Sequence, residues 1–166
     1  MSGVQAPENR KGAPAGAILR VFYASRQARQ APRGGWSTGI EAILESSRRN
    51  NRAEGLTGVL LCVEDRFLQI IEGAPDAVAR AFERIACDFR HTDVELLELS
   101  STDRRICGDW AMHAIGDGGR IGAELRDELQ DIRMLARSNS REAVRRIRAI
   151  MQHDAKSAEQ RAATAL

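Results

Sequence analysis

Aromatic residues are scarce: phenylalanine, tryptophan and tyrosine make up 4% of the 166 residues, with one tyrosine among them. A sheet that reads RNA wants exposed aromatics on its central strands and a basic face. This chain has few rings, and its 25 basic residues are nearly matched by 23 acidic ones. A nucleic-acid partner is therefore not expected. The cysteines are Cys62, Cys87 and Cys107, an odd number at wide spacings with no C-x-x-C. That pattern argues against a disulfide framework and against a zinc site. The histidines are too scattered to mark a catalytic Cys–His pair. No apolar run approaches the roughly 18 residues of a membrane-spanning helix. The amino-terminal MSGVQAPENRKGAPAG lacks the apolar stretch of a secretory signal. A cytoplasmic protein with no membrane partner is expected.

What is present divides into a leader, a domain and an extension. Residues 1–16 carry Pro7, Pro14 and several glycines but almost no large apolar side chain, which predicts a disordered leader. Residues 17–116 read as one α+β unit. A β-rich run over 17–24 predicts a strand with Leu19, Val21 and Tyr23 on one face and Ile18, Arg20 and Phe22 on the other. The Arg-rich stretch 26–38 reads as a solvated loop, with Trp36 packing on the body. Ser37 or Thr38 offers a helix N-cap, with Glu41 at capping-box distance from Thr38. Ile40, Ile43 and Leu44 form the helical stripe, which ends near Asn50-Asn51. Strands follow over 55–63 and 66–73, joined by a tight turn at Glu64-Asp65. Pro75 opens a second helix with Val78, Ala81, Phe82 and Ile85 inward. After a charged connection over 88–91, strands are predicted at 94–99 and 108–115, the last with Trp110, Met112 and Ala114 on one side. Residues 117–166 read as a helical extension: a Gly-rich joint, then amphipathic helices with Leu125, Leu129, Ile132 and Ala136, and with Val144, Ile147 and Met151.

The order β-α-β-β-α-β-β predicts a ferredoxin-like α+β fold, a five-stranded sheet with two helices on one face. The two terminal helices are expected to cover the other face. The first and third strands are neighbours in that topology, which can bring Tyr23 to Gln69. A buried glutamine needs partners, and leaving it without them costs about 1–3 kcal/mol. Tyr23, Asn50 and Asn51 can supply them, or the asparagines can hold a polar ligand between the helices. On composition alone the plainer reading, a satisfied buried cluster, is favoured.

Five segments in order, FYASR (22–26), SRRNNRAEGLTGVLL (47–61), RFLQIIEG (66–73), ACDFRH (86–91) and DWAMHAIG (109–116), give a closer likeness. Together they resemble the BLUF family, the blue-light sensors using FAD. The resemblance implies a non-catalytic photoreceptor with non-covalently bound FAD. It implies that Tyr23 is the light-sensing tyrosine and Gln69 the switching glutamine, with Trp110 and Met112 in the photoactive set. Asn51 is implied to hold the flavin, with Asn50 in the adjacent contact position. Arg90 and His91 are implied on the phosphate and ribose side, with Asp88 nearby. The likeness is to short members that act through partners, so a homo-oligomer and a downstream protein partner are expected, with output through the last strand and the terminal helices. An acylphosphatase-like enzyme is the alternative on this fold. It would rest on Arg26 with Asn50 or Asn51, but no glycine-rich phosphate cradle of that kind follows the first strand.

Overall fold

The computed structural model describes residues 17–28, 36–63, 65–116 and 123–164. The expected leader over 1–16, the centre of the Arg-rich loop and the joint at 117–119 lie outside the described residues. Nine elements are seen among the described residues: β1 (Ile18–Gln27), α1 (Trp36–Glu54), β2 (Thr57–Val63), β3 (Arg66–Gly73), α2 (Pro75–Ala86), β4 (His91–Thr102), β5 (His113–Ile115), α3 (Ala123–Ser138) and α4 (Ser140–Thr164). The sheet order is β4-β1-β3-β2-β5. β1 runs antiparallel to both β3 and β4, β2 antiparallel to β3, and β5 parallel to β2. This is the α+β arrangement expected from the sequence.

The pleat of β1 separates two cores. Val21 and Tyr23 face α2, where they pack with Leu56, Ile71, Ala77, Val78 and Ala81. Phe22, with Leu68 and Ile70 of β3, faces α3 and α4. There Leu129, Ile132 and Ile147 are fully buried, each contributing roughly 1.5–3 kcal/mol. The terminal helices thus cover the sheet face that α1 and α2 leave open. Asn139 caps α4, its side-chain oxygen accepting the Glu142 N–H at 3.1 Å. α1 lays Ile40, Ile43 and Leu44 on Leu60, Cys62, Phe67 and Met112.

Several boundaries differ from the sequence reading. β1 continues through Arg26 and Gln27, because its edge still pairs with the start of β4. β4 accordingly begins at His91, which is strand and not connection. α1 starts at Trp36, before either proposed cap, so Trp36 is helical. It continues to Glu54, placing Asn50 and Asn51 within its last turns. The largest difference is β5, which has three residues in place of the expected eight-residue span. Gly108 at φ +55° and the Trp110 N–H bond to the Cys107 carbonyl, 3.2 Å, turn the chain just upstream and forbid a longer strand.

A buried polar clamp fixes that turn. Glu72 has a fully buried side chain. It accepts Arg20 Nε at 2.7 Å and the N–H groups of Ile106 and Cys107 at 2.9 and 3.1 Å. Arg105 reaches back to the Thr57 hydroxyl and the Glu72 carbonyl at 2.9 and 3.0 Å. With its lone pairs satisfied, the buried carboxylate ties the approach to β5 onto the end of β3.

Candidate functional site

Tyr23 and Gln69 are directly opposite in the β1–β3 register. Their side chains therefore leave the sheet on the same face, with Cβ atoms about 5 Å apart. Both are buried, at 0% and 2% exposure. The Tyr23 hydroxyl donates to Gln69 Oε1. Gln69 Nε2 faces the Met112 sulfur at 3.7 Å. A thioether is a weak acceptor, so the amide is held firmly at its oxygen and loosely at its nitrogen. Phe82 of α2 meets the tyrosine ring edge-on, 5.5 Å between centroids. Burial pushes the Tyr23 hydroxyl far above the ordinary phenol range, and the negative charge of Asp88 pushes the same way.

The segment carrying Met112 is strapped to the sheet and to α1 through successive carbonyls. Gly58 N–H donates to the Trp110 carbonyl at 3.1 Å. Asn51 Nδ2 donates to Ala111 at 2.7 Å, and Arg48 Nε to Met112 at 3.1 Å. Gly58 also makes room for the methionine. A Cβ there would lie 2.7 Å from the Ile70 carbonyl oxygen and 3.1 Å from Met112 Cε.

The other end is charged. Arg90 Nη2 donates to Asp88 Oδ2 at 2.6 Å, and Arg90 Nε lies 2.9 and 3.0 Å from the two carboxylate oxygens. This guanidinium holds the Asp88 carboxyl below the usual range, and the carboxylate raises Arg90 in return. Arg90 Nη1 also reaches Ser46 Oγ at 3.4 Å. His91 is buried, with Nδ1 3.1 Å from Ser25 Oγ and its ring edge-on to Phe67. Burial lowers its pKa, against a smaller upward pull from Asp88.

A cleft of about 200 Å³ opens between α1 and α2, and Asn50, Asn51, Gln69, Asp88, Arg90 and His91 all line it. Tyr23 lies one hydrogen bond behind Gln69. Asn50 is exposed and Asn51 buried. The structure does not bring Trp110 there. It lies at the surface, stacked on His113 with 4.2 Å between centroids, while Met112 is buried against Gln69. They do not share a side as they would in a strand, because both precede β5. Arg26, the cation of the alternative enzyme reading, is clamped to Asp65 and does not line the cleft.

Arg48, Ser46 and Ser25 were not singled out by sequence reasoning. The signals were spacings: Arg48 precedes Asn51 by one helical turn, and Ser25 follows Tyr23 on the same strand face. The donor set has a chemical bias. It combines neutral amides, one with only a sulfur acceptor among the described residues, with a guanidinium at the rim. This suits a planar heteroaromatic edge offering acceptors and a donor, with an anionic tail.

The model of the family described as BLUF, sensors of blue-light using FAD, matches residues 18–113. The beta subunit of the photoactivated adenylate cyclase of Euglena gracilis is 35% identical over 74 residues, 44% of this chain and 9% of that protein. The chain thus spans under a tenth of the length of that relative. The dark-state structure of BlrB, a BLUF protein, superposes with a TM-score of 0.64 at 26% identity, covering 82% of this chain and 96% of that one. A bacterial light-regulated adenylyl cyclase gives 0.62 at 27% identity, covering 73% of this chain and 35% of that one. The family match takes in β1 through the start of β5, with the Tyr23–Gln69 pair and every residue lining the cleft: this chain belongs to the BLUF family of sensors of blue light using FAD.

Proposed function

We propose that this chain is a photoreceptor, not itself an enzyme, that holds FAD non-covalently in the cleft between α1 and α2 and uses Tyr23 and Gln69 as its switch. The observation that carries the reading is the buried Tyr23 hydroxyl donating to Gln69 Oε1 at the floor of that cleft. Asn51 and Gln69 hold the heterocycle edge, Asn50 adds a contact at the rim, and Arg90 and His91, with Asp88, take the phosphate and ribose side. At about 200 Å³ the cleft lies below the usual ~300–1,000 Å³ of a small-molecule site. When bound, the flavin supplies blue absorption and a one-electron acceptor.

Tyr23 is the electron donor. Its surroundings disfavour a phenolate, so its proton leaves with the electron and passes to the oxygen it already contacts, Gln69 Oε1. The electron and a proton then return to Tyr23, so no net oxidation remains, and the Gln69 amide is left rotated or tautomerised. The weak Met112 contact makes the nitrogen end inexpensive to release. Met112 begins the route out, through β5 to α3 and α4 and from there to a second copy or a protein partner.

The test uses the full chain purified in darkness. Extraction should release FAD in preference to FMN, and blue light should move the absorption modestly to the red, reverting in darkness. Tyr23→Phe and Gln69→Leu should retain flavin and lose the shift. A normal photocycle in either variant would overturn the switch; a colourless protein that gains no flavin absorbance with added FAD would overturn the cofactor.

A further inference from the structure

A second concavity lies where α3 crosses the starts of β3 and β4 and the end of β1. It measures about 420 Å³, twice the cleft between α1 and α2, and shares no lining residue with it. This is within the ~300–1,000 Å³ of ordinary small-molecule sites. Its apolar lining includes Leu68, Leu97 and Met134. Met134 is 69% exposed, an unusual position for a large apolar side chain above a groove.

The charges there do not balance. Arg66, Arg133 and Arg137 line the groove with Asp93 and Glu95. Glu95 is taken by Arg137, which donates to it from Nε and Nη2 at 3.0 and 2.7 Å. Asp93 lies 3.9 Å from Arg26, which does not line the groove. Arg133 is left without an ion-pair partner among the described residues, and Arg66 feels only the nearby charge of Asp65, which Arg26 already clamps. Arg133 Nε is moreover buried with no hydrogen-bond acceptor among them. A buried donor without an acceptor is costly, and a guanidinium is best satisfied by a planar carboxylate. Asp93 adds backbone strain at the rim, as a non-glycine residue at φ 52°.

We propose that this groove binds a small amphipathic carboxylate, its apolar chain lying along Leu68, Leu97 and Met134 and its carboxylate meeting Arg133 and Arg66. The inference is independent of the flavin reading, because the two sites have separate linings and separate reporters. The probe is octanoate, titrated into the full flavin-loaded chain carrying ¹³C-methyl methionine. Met134 reports the groove, Met112 the flavin-side cleft and Met151 the core beneath α4. The expected result is a saturable shift of the Met134 signal with Met112 and Met151 unmoved, and a far weaker effect from octan-1-ol. Arg133→Gln should weaken octanoate about tenfold, the scale of one charge-assisted hydrogen bond. Arg66→Gln provides a second variant should the first not fold. Equal response to the alcohol, unchanged affinity in the variants, or a shift at Met112 in place of Met134 would each overturn the proposal.

Discussion

A phenol with no water around it and a carboxylate nearby keeps its proton at pH values where an exposed tyrosine has lost it. Tyr23 is in that position, and its pKa lies well above the ordinary 10.0. The light-induced shift should therefore keep its amplitude from pH 7 to pH 10, about where a free phenol is half ionised. Difference spectra across that range check this, and an amplitude halved at pH 10 would mean that Tyr23 titrates normally. His91 titrates in the other direction. Burial depresses its folded-state pKa below the unfolded value of 6.5. Between those two values the unfolded chain binds the proton and the folded one does not. This contribution to stability is complete above pH 6.5, declines as pH falls through that window, and ends once folded His91 is protonated. Urea denaturation from pH 7.5 to 5 should show the decline, and His91→Asn should flatten it. Both residues were legible as members of a likeness. That His91 is strand, buried and bonded to Ser25 was not, because D-F-R-H reads locally as a charged turn, and the pairing of β1 with β4 decides otherwise.

Among the elements, those with strong periodicity or punctuation were the most readable. β3 runs from Arg66 to Gly73 as expected, and Pro75 opens α2. The last strand was misread because Trp110, Met112 and Ala114 alternate as strand residues do. Pairing is decided by partners, and here the carbonyls of 110–112 are taken by Gly58, Asn51 and Arg48 in place of a regular ladder. The strap lets Met112 turn inward while Trp110 turns out. Two substitutions separate them. Met112→Ala, which empties a buried contact, should alter the light-induced shift or its dark recovery and cost roughly 2–5 kcal/mol of stability. Trp110→Phe should leave the shift in place and change stability by less than about 1 kcal/mol, as expected at a surface site. Absorption spectra and denaturation midpoints give both answers. A shift that fails with the tryptophan and survives without the methionine would reverse the assignment.

At the scale of the whole molecule, one sheet separates the site from its proposed output. Tyr23 and Gln69 lie on the α1–α2 side, while Phe22, Leu68 and Ile70 carry the α3–α4 side. The terminal helices could be read as a cover for this second face because their apolar spacing had no other surface to bury. What the sequence could not reveal is the Glu72 clamp, assembled from residues on β1, β3 and the turn before β5. The clamp bounds the moving part. Upstream, residues 105–107 are bolted to β3. Downstream, Gly116 at φ +86° passes so close to Cys62 that a Cβ would lie 2.4 Å from its carbonyl oxygen. Between these fixed points lie the 110–112 strap and β5, the part able to respond when the Gln69 contact to Met112 changes. Light should therefore change amide exchange first across 110–115 and then in α3 and the early turns of α4, with protection at Ile106 and Cys107 unchanged. Glu72→Ala should remove the upstream anchor. With Arg20 left unpaired it should cost about 3–5 kcal/mol, and the light-dependent change should spread to 104–107. Hydrogen exchange in dark and lit states of both proteins decides the matter. Identical protection over 109–151 in the native chain would place the output elsewhere, and a change at Ile106 in the native chain would show that the clamp is not the fixed point.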